Sequence, residues 1–88
     1  MRGDYTFGHE VNVFCPQNDD RCYWLAAGTS QSIRAQLKEA YAAGSSAPYQ
    51  PVCLVVEGMI DRNSPRDGFA AEYDGLIQIE TLTGACEQ

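Results

Sequence analysis

The chain has few cations and no long apolar run. Six Lys and Arg stand against twelve Asp and Glu, a net charge of −6 over 88 residues. The six cations, Arg2, Arg21, Arg34, Lys38, Arg62 and Arg66, are scattered and form no basic stripe. A nucleic-acid backbone or an anionic membrane surface would be repelled over most of such a surface. No stretch of about 18 apolar residues occurs to cross a bilayer as a helix, and no charged-then-apolar leader precedes the first patterned segment.

Reaction signatures are missing as well. There is no G-x-S-x-G, no phosphate loop, no H-E-x-x-H and no C-x-x-C. Ser45 and Ser46 sit in an expected loop with no base nearby in sequence. Enzymatic activity and a bound cofactor are therefore not expected.

What is present is a foldable small domain. The hydrophobic fraction of 44% is that of a globular protein, and 88 residues allow one domain with one modest core. A core of this size only narrowly outweighs conformational entropy, so a covalent staple would help. Cys15, Cys22, Cys53 and Cys86 are the candidates. Four cysteines permit three pairings, of which Cys15 with Cys22 and Cys53 with Cys86 is favoured. The first closes the polar loop Pro16-Gln17-Asn18-Asp19-Asp20-Arg21, and the second ties the tail to a core strand. Loop-closure entropy assigns them about 2.5 and about 3.5–4 kcal/mol. Free buried thiols and a metal site are the rivals. Zinc knuckles place two to four residues between ligands, whereas six separate the nearest pair here. Bridges imply an oxidising compartment.

The chain reads as β-β-α-β-β-β. Tyr5 to Cys15 is expected as one strand, with Tyr5, Phe7, Val11 and Val13 on one face together with His9, and Gly8 as a bulge or bend. Cys22 to Ala26 is the returning strand. Thr29-Ser30 offers an N-cap to a helix from about Ser30 to about Ala43, with Ile33, Leu37, Ala40 and Tyr41 as its buried stripe and Gly44 as its stop. Val52-Cys53-Leu54-Val55-Val56, apolar at every position, reads as the most buried strand, continuing to Ile60 with Gly58 as a bend. Asn63 to Gly68 is turn chemistry. Phe69 to Tyr73 is a possible short strand, and Leu76 to Leu82 is the last; Gly75 is either a turn between them or a bulge in one long strand. Together these imply a mainly β (β+α) domain, a small five-stranded OB-like barrel with one helix. The oligonucleotide-binding barrel places its helix after the third strand, whereas here the helix is expected after the second, which keeps an open α+β sheet in play.

Arg2-Gly3-Asp4-Tyr5-Thr6-Phe7 followed by Glu10-Val11-Asn12-Val13-Phe14 resembles the opening of the C-terminal barrel domain of NlpE-type bacterial envelope lipoproteins. The likeness continues through Leu37 to Tyr41, Pro51 to Gly58 and the final apolar strand. It rests on a pattern of strands and turns rather than on invariant motifs. Membership would imply a periplasmic or outer-membrane lipoprotein of a Gram-negative bacterium, concerned with envelope stress, adhesion or copper, that uses its barrel without nucleic acid. On that resemblance residues 1–88 are one domain excised from a longer exported protein. Its partners are other envelope proteins, and its membrane attachment is a lipid anchor outside this chain.

Individual residues admit several readings. His9, on the expected apolar face, reads first as a hydrogen-bonded core histidine, with pH sensing and metal ligation behind it. Asp19-Asp20 and Asp61 with Asp67 read as solvated turns rather than a calcium loop. Arg2-Gly3-Asp4 spells an adhesion tripeptide, but the terminus is a poor place to present one. Tyr23, Trp24, Tyr41, Tyr49 and Tyr73 are most simply sheet packing, with an interface patch as the alternative. If a binding surface exists, His9, Tyr23, Trp24 and the Cys15–Cys22 loop are its candidates. A small-molecule or metal-binding barrel is the second functional reading.

Overall fold

The computed structural model describes residues 1–9, 11–63, 68, 71 and 73–86. Among the described residues five strands and one helix run in the order β1 Arg2–Gly8, β2 Val11–Pro16, β3 Tyr23–Leu25, α1 Gln31–Gly44, β4 Val52–Asp61 and β5 Leu76–Ala85. The sheet closes on itself in the order β1-β2-β3-β5-β4, with β4 pairing back to β1. Every pairing is antiparallel except β3 with β5. The domain is a small five-stranded, OB-like barrel with a helix.

The segment expected as one strand from Tyr5 to Cys15 is instead a hairpin. The chain reverses between Gly8 and Val11, and Tyr5 pairs with Phe14. Such a reversal changes parity, because residues at odd positions of β1 now face residues at even positions of β2. Phe14, not Val13, therefore shares the core with Tyr5. Val13 is buried too, but outside the core cluster, where it is paired with Trp24. Gly8 ends β1 instead of bulging within a strand. The ring of Tyr49 occupies the space beside it, so a Cβ at Gly8 would lie 2.6 Å from that ring.

With the first segment split, the helix follows the third strand, the usual OB order. The fifth strand thus comes from the hairpin. Of the stretch from Phe69 to Tyr73, expected as a possible short strand, Phe69, Ala70 and Glu72 lie outside the described residues, while Ala71 and Tyr73 belong to no strand.

Helix α1 starts where Ser30 accepts a hydrogen bond from the Ile33 amide at 3.2 Å, and ends where the Ser45 amide donates to Tyr41. Ile33, Leu37 and Tyr41 recur every fourth residue and are buried, whereas Ala40 is half-buried. They meet Tyr5, Phe14, Tyr23, Leu54, Val56, Ile77 and Ile79 in one cluster. Strand β4 alternates: Val52, Leu54 and Val56 are buried, while Cys53 and Val55 are half-buried on the outer face. The expected two-sided burial fails because a closed barrel gives each strand one inner and one outer side. The bend at Gly58 is real. Pairing with β5 shifts register between Glu57 and Gly58, and a Cβ there would lie 2.1 Å from the Gln78 carbonyl.

Cys15 is bonded to Cys22 and Cys53 to Cys86, leaving no free cysteine. Two bridges point to an oxidising, non-cytoplasmic compartment. Among the described residues no helix is long and apolar enough to cross a membrane.

Candidate functional site

Two regions concentrate polar chemistry: the loop closed by the first disulfide, and a recess between the β1–β2 hairpin and α1.

Cys15 lies near the end of β2 and Cys22 immediately before β3, so the bridge cinches residues 16–21. Within the loop the Asp19 amide donates to the Pro16 carbonyl at 3.2 Å, and the Arg21 amide donates to Asp19 Oδ1 at 3.0 Å. The other Asp19 oxygen accepts from the Tyr23 hydroxyl at 2.6 Å. Arg62, just past β4, donates through Nε to that hydroxyl at 3.1 Å and approaches Asp19 Oδ2 at 3.4 Å. Its guanidinium also lies 5.7 Å from the Tyr23 ring centroid. The Tyr23 hydrogen bond, reinforced by the Arg21 amide and by Arg62, holds the Asp19 carboxyl below its ordinary range. The same phenol oxygen, with Asp19 behind it, raises Arg62 above its usual value.

A second set of contacts ties this loop to the connection between β4 and β5. The Cys22 amide donates to Asp74 Oδ2 at 3.1 Å, and the Asp74 amide returns to the Cys22 carbonyl at 3.0 Å. Trp24 donates its amide to Gly75 at 3.0 Å, and its half-buried ring lies 5.5 Å from that of Tyr73. The cystine loop and residues 62 and 73–75, far apart in sequence, thus form one braced face beside Trp24.

The structure separates the residues proposed for a binding surface. Trp24 is half-buried on the braced face. Tyr23, in contrast, is fully buried, and only its hydroxyl reaches the loop. As part of an outward patch it is corrected to a core residue, because alternation along β3 turns it inward beside Tyr5 and Phe14. His9 is corrected in the opposite sense. It is exposed at the chain reversal, and its carbonyl accepts from the Tyr49 hydroxyl at 3.2 Å. It is no core histidine, since the strand it was assigned to ends before it. Arg2-Gly3-Asp4 is extended strand, paired on both sides by β2 and β4, and is not a presented loop.

The metal reading loses its sulfur ligands to the disulfides, and among the described residues no three His, Cys, Asp or Glu side chains gather. Asp61 accepts from the Asn63 amide at 2.9 Å in a local turn. Asp67 lies outside the described residues.

The recess is the feature that sequence reasoning missed. It encloses about 210 Å³. Tyr5, Phe7 and Leu25 supply apolar walls, and Asn12, Gln31, Arg34 and Lys38 supply polar groups. The buried Tyr5 hydroxyl donates to Asn12 Oδ1 at 2.6 Å across the hairpin. Burial pushes the Tyr5 phenol well above its ordinary range, so it keeps its proton as a donor. Arg34 is fixed by donating Nε to the Thr29 carbonyl at 3.1 Å and a terminal nitrogen to the Ala26 carbonyl at 2.7 Å. Lys38, one turn further along α1, lies 5.6 Å from the Phe7 ring centroid. Beside the recess, Tyr41 packs edge-on against Tyr5 and Phe7, and its buried hydroxyl has no hydrogen-bond partner among the described residues. The i, i+4 spacing of Arg34 and Lys38 was visible in the sequence. Their meeting with Asn12 depended on the hairpin, which was not.

No family model matches the chain, and neither does any curated protein or solved structure.

Proposed function

We propose that this barrel is a non-catalytic interaction or sensing domain of a periplasmic or outer-membrane lipoprotein, as the resemblance to NlpE-type domains implies, concerned with envelope stress, adhesion or copper. Its partners are other envelope proteins, and its acidic surface disfavours nucleic acid. The observation that carries the reading is the braced face. Disulfide Cys15–Cys22, the Asp19–Tyr23–Arg62 cluster and the Cys22–Asp74 pair tie the cystine loop to Arg62 and Asp74, at the two ends of the β4–β5 connection, beside Trp24. A face ordered before encounter loses little entropy on binding, which suits recognition by a partner protein.

A photo-crosslinking residue in place of Trp24, introduced into the protein in its own cells, tests it. The expected result is an adduct with an envelope protein, obtained from a membrane or periplasmic fraction in which the denatured, unreduced protein has no titratable thiol. Recovery from the cytosol with four titratable thiols overturns the reading, and adducts from Lys38 but not from Trp24 would move the interface elsewhere.

A second reading, a small-molecule-binding barrel, is favoured by the recess between β1, β2 and α1. Its copper- or zinc-binding version is left without thiolate ligands.

A further inference from the structure

We infer that this recess is a binding site for a small organic carboxylate with an apolar body. The inference rests on the small-molecule reading and names its ligand class.

In a chain of net charge −6, the described residues that line the recess include two of the six cations and no carboxylate. Its polar lining is rich in donors. The Asn12 carbonyl oxygen already accepts from the Tyr5 hydroxyl at 2.6 Å, and its amide N–H groups are left to donate. Arg34 and Lys38 only donate. Gln31, the Tyr5 phenol oxygen and the second lone pair of Asn12 are neutral acceptors beside two full positive charges. A ligand satisfying this set presents acceptors and negative charge.

The walls constrain the rest of the ligand. Tyr5 and Leu25 are buried, Phe7 is half-buried, and all three line the recess. Such a surface favours an aromatic or branched apolar body over a sugar or a free phosphate. A volume of about 210 Å³ is below the usual range for drug-sized ligands, so it suits one ring or one side chain. Arg34 is already oriented by the Ala26 and Thr29 carbonyls, so little rotamer freedom is lost when an anion arrives.

Two sources offer this chemistry: a free small acid, or the C-terminal residue of a peptide. Amide chemical shifts of the intact, oxidised protein, followed by NMR, separate them. The probes are phenylacetate, its neutral analogue phenylacetamide, acetyl-Gly-Gly-Phe acid and the corresponding peptide amide. Phenylacetate is expected to shift the amides of Phe7, Asn12, Gln31 and Lys38 with a Kd on the order of a millimolar, the scale set by ligand efficiency for so small an acid. Phenylacetamide is expected to bind at least about fivefold more weakly.

Lys38→Glu, at an exposed position, is expected to weaken phenylacetate about five- to tenfold while leaving the melting temperature near that of the parent. Arg21→Glu makes the same change of net charge in the cystine loop and is expected to leave binding unchanged. Tighter binding of the peptide acid assigns the site to a chain terminus, and binding of phenylacetate alone assigns it to a free acid. Equal binding of phenylacetate and phenylacetamide overturns the carboxylate but keeps a small-molecule site. No shift at these amides with any probe at roughly tens of millimolar overturns the small-molecule reading as well. Equal weakening by both charge reversals reduces the effect to net charge and removes the site.

Discussion

The Tyr23 hydroxyl, carried by a ring sealed in the barrel core, donates to the carboxylate of Asp19 at 2.6 Å in the disulfide-closed loop. The contact joins the interior to the face beside Trp24, and it is set by a folded-state interaction that an unfolded chain lacks.

Asp19 therefore couples stability to pH. Its carboxyl, held below the ordinary value of 3.8, favours the folded state at any pH above that value, and this contribution disappears as pH falls through the lower, folded value. Asp19→Asn should flatten the fall of stability below about pH 4, and Tyr23→Phe should do the same by removing the donor. Urea midpoints measured from neutral pH down to acid would show it. Acid limbs identical to the parent's in both variants would mean that the contact does not couple folding to protons.

The two disulfides should differ in weight. The Cys53–Cys86 bridge spans 33 residues of sequence and the Cys15–Cys22 bridge only 7. Removing the longer by paired Cys→Ala substitution should cost about 3.5–4 kcal/mol, and removing the shorter about 2.5 kcal/mol. Guanidinium unfolding of each double variant gives the comparison. The reverse order would show that bracing of the native loop, and not chain entropy, dominates the shorter bridge.

Gly58→Ala should be among the most damaging single-methyl additions in the sheet. The new Cβ would meet the Gln78 backbone carbonyl at 2.1 Å, where β4 and β5 shift register. Relief requires the backbone to move, at a cost of about 1–3 kcal/mol or more. A thermal midpoint within a degree of the parent would show that the bulge accommodates a side chain.

Helix α1 should be separable into a local and a tertiary contribution. Ser30→Ala removes the cap on Ile33 and should cost about 1 kcal/mol. Leu37→Ala empties a fully buried position and should cost about 2–5 kcal/mol. Equal losses in chemical denaturation would argue that the helix is not the plug of this core.

Helix α1 was readable almost to the residue, because a Ser cap, a four-residue apolar spacing and Gly44 are local signals within one element. Strand β4 was readable for the same reason, as the uninterrupted apolar run from Val52 to Val56. The β1–β2 hairpin was not, since Gly8-His9-Glu10 carries no strong turn dipeptide and the alternation runs almost unbroken through it. That one omission displaced His9 from surface to core, put Val13 where Phe14 belongs, and moved the helix one strand early. The recess stayed hidden with it, because Asn12 faces Tyr5 only after the reversal.

Composition and local pattern were sufficient for a small, acidic, mainly β domain with one helix and an even set of cysteines, since each is a property of a residue or of its near neighbours. Closure of the barrel through β3 and β5, the inward turn of Tyr23, the brace from Asp19 to Arg62 and the cationic recess came only with the folded chain. Each joins residues 4 to 52 positions apart across different elements. Which of those meet is decided by strand register, and register follows from how the whole apolar set packs at once.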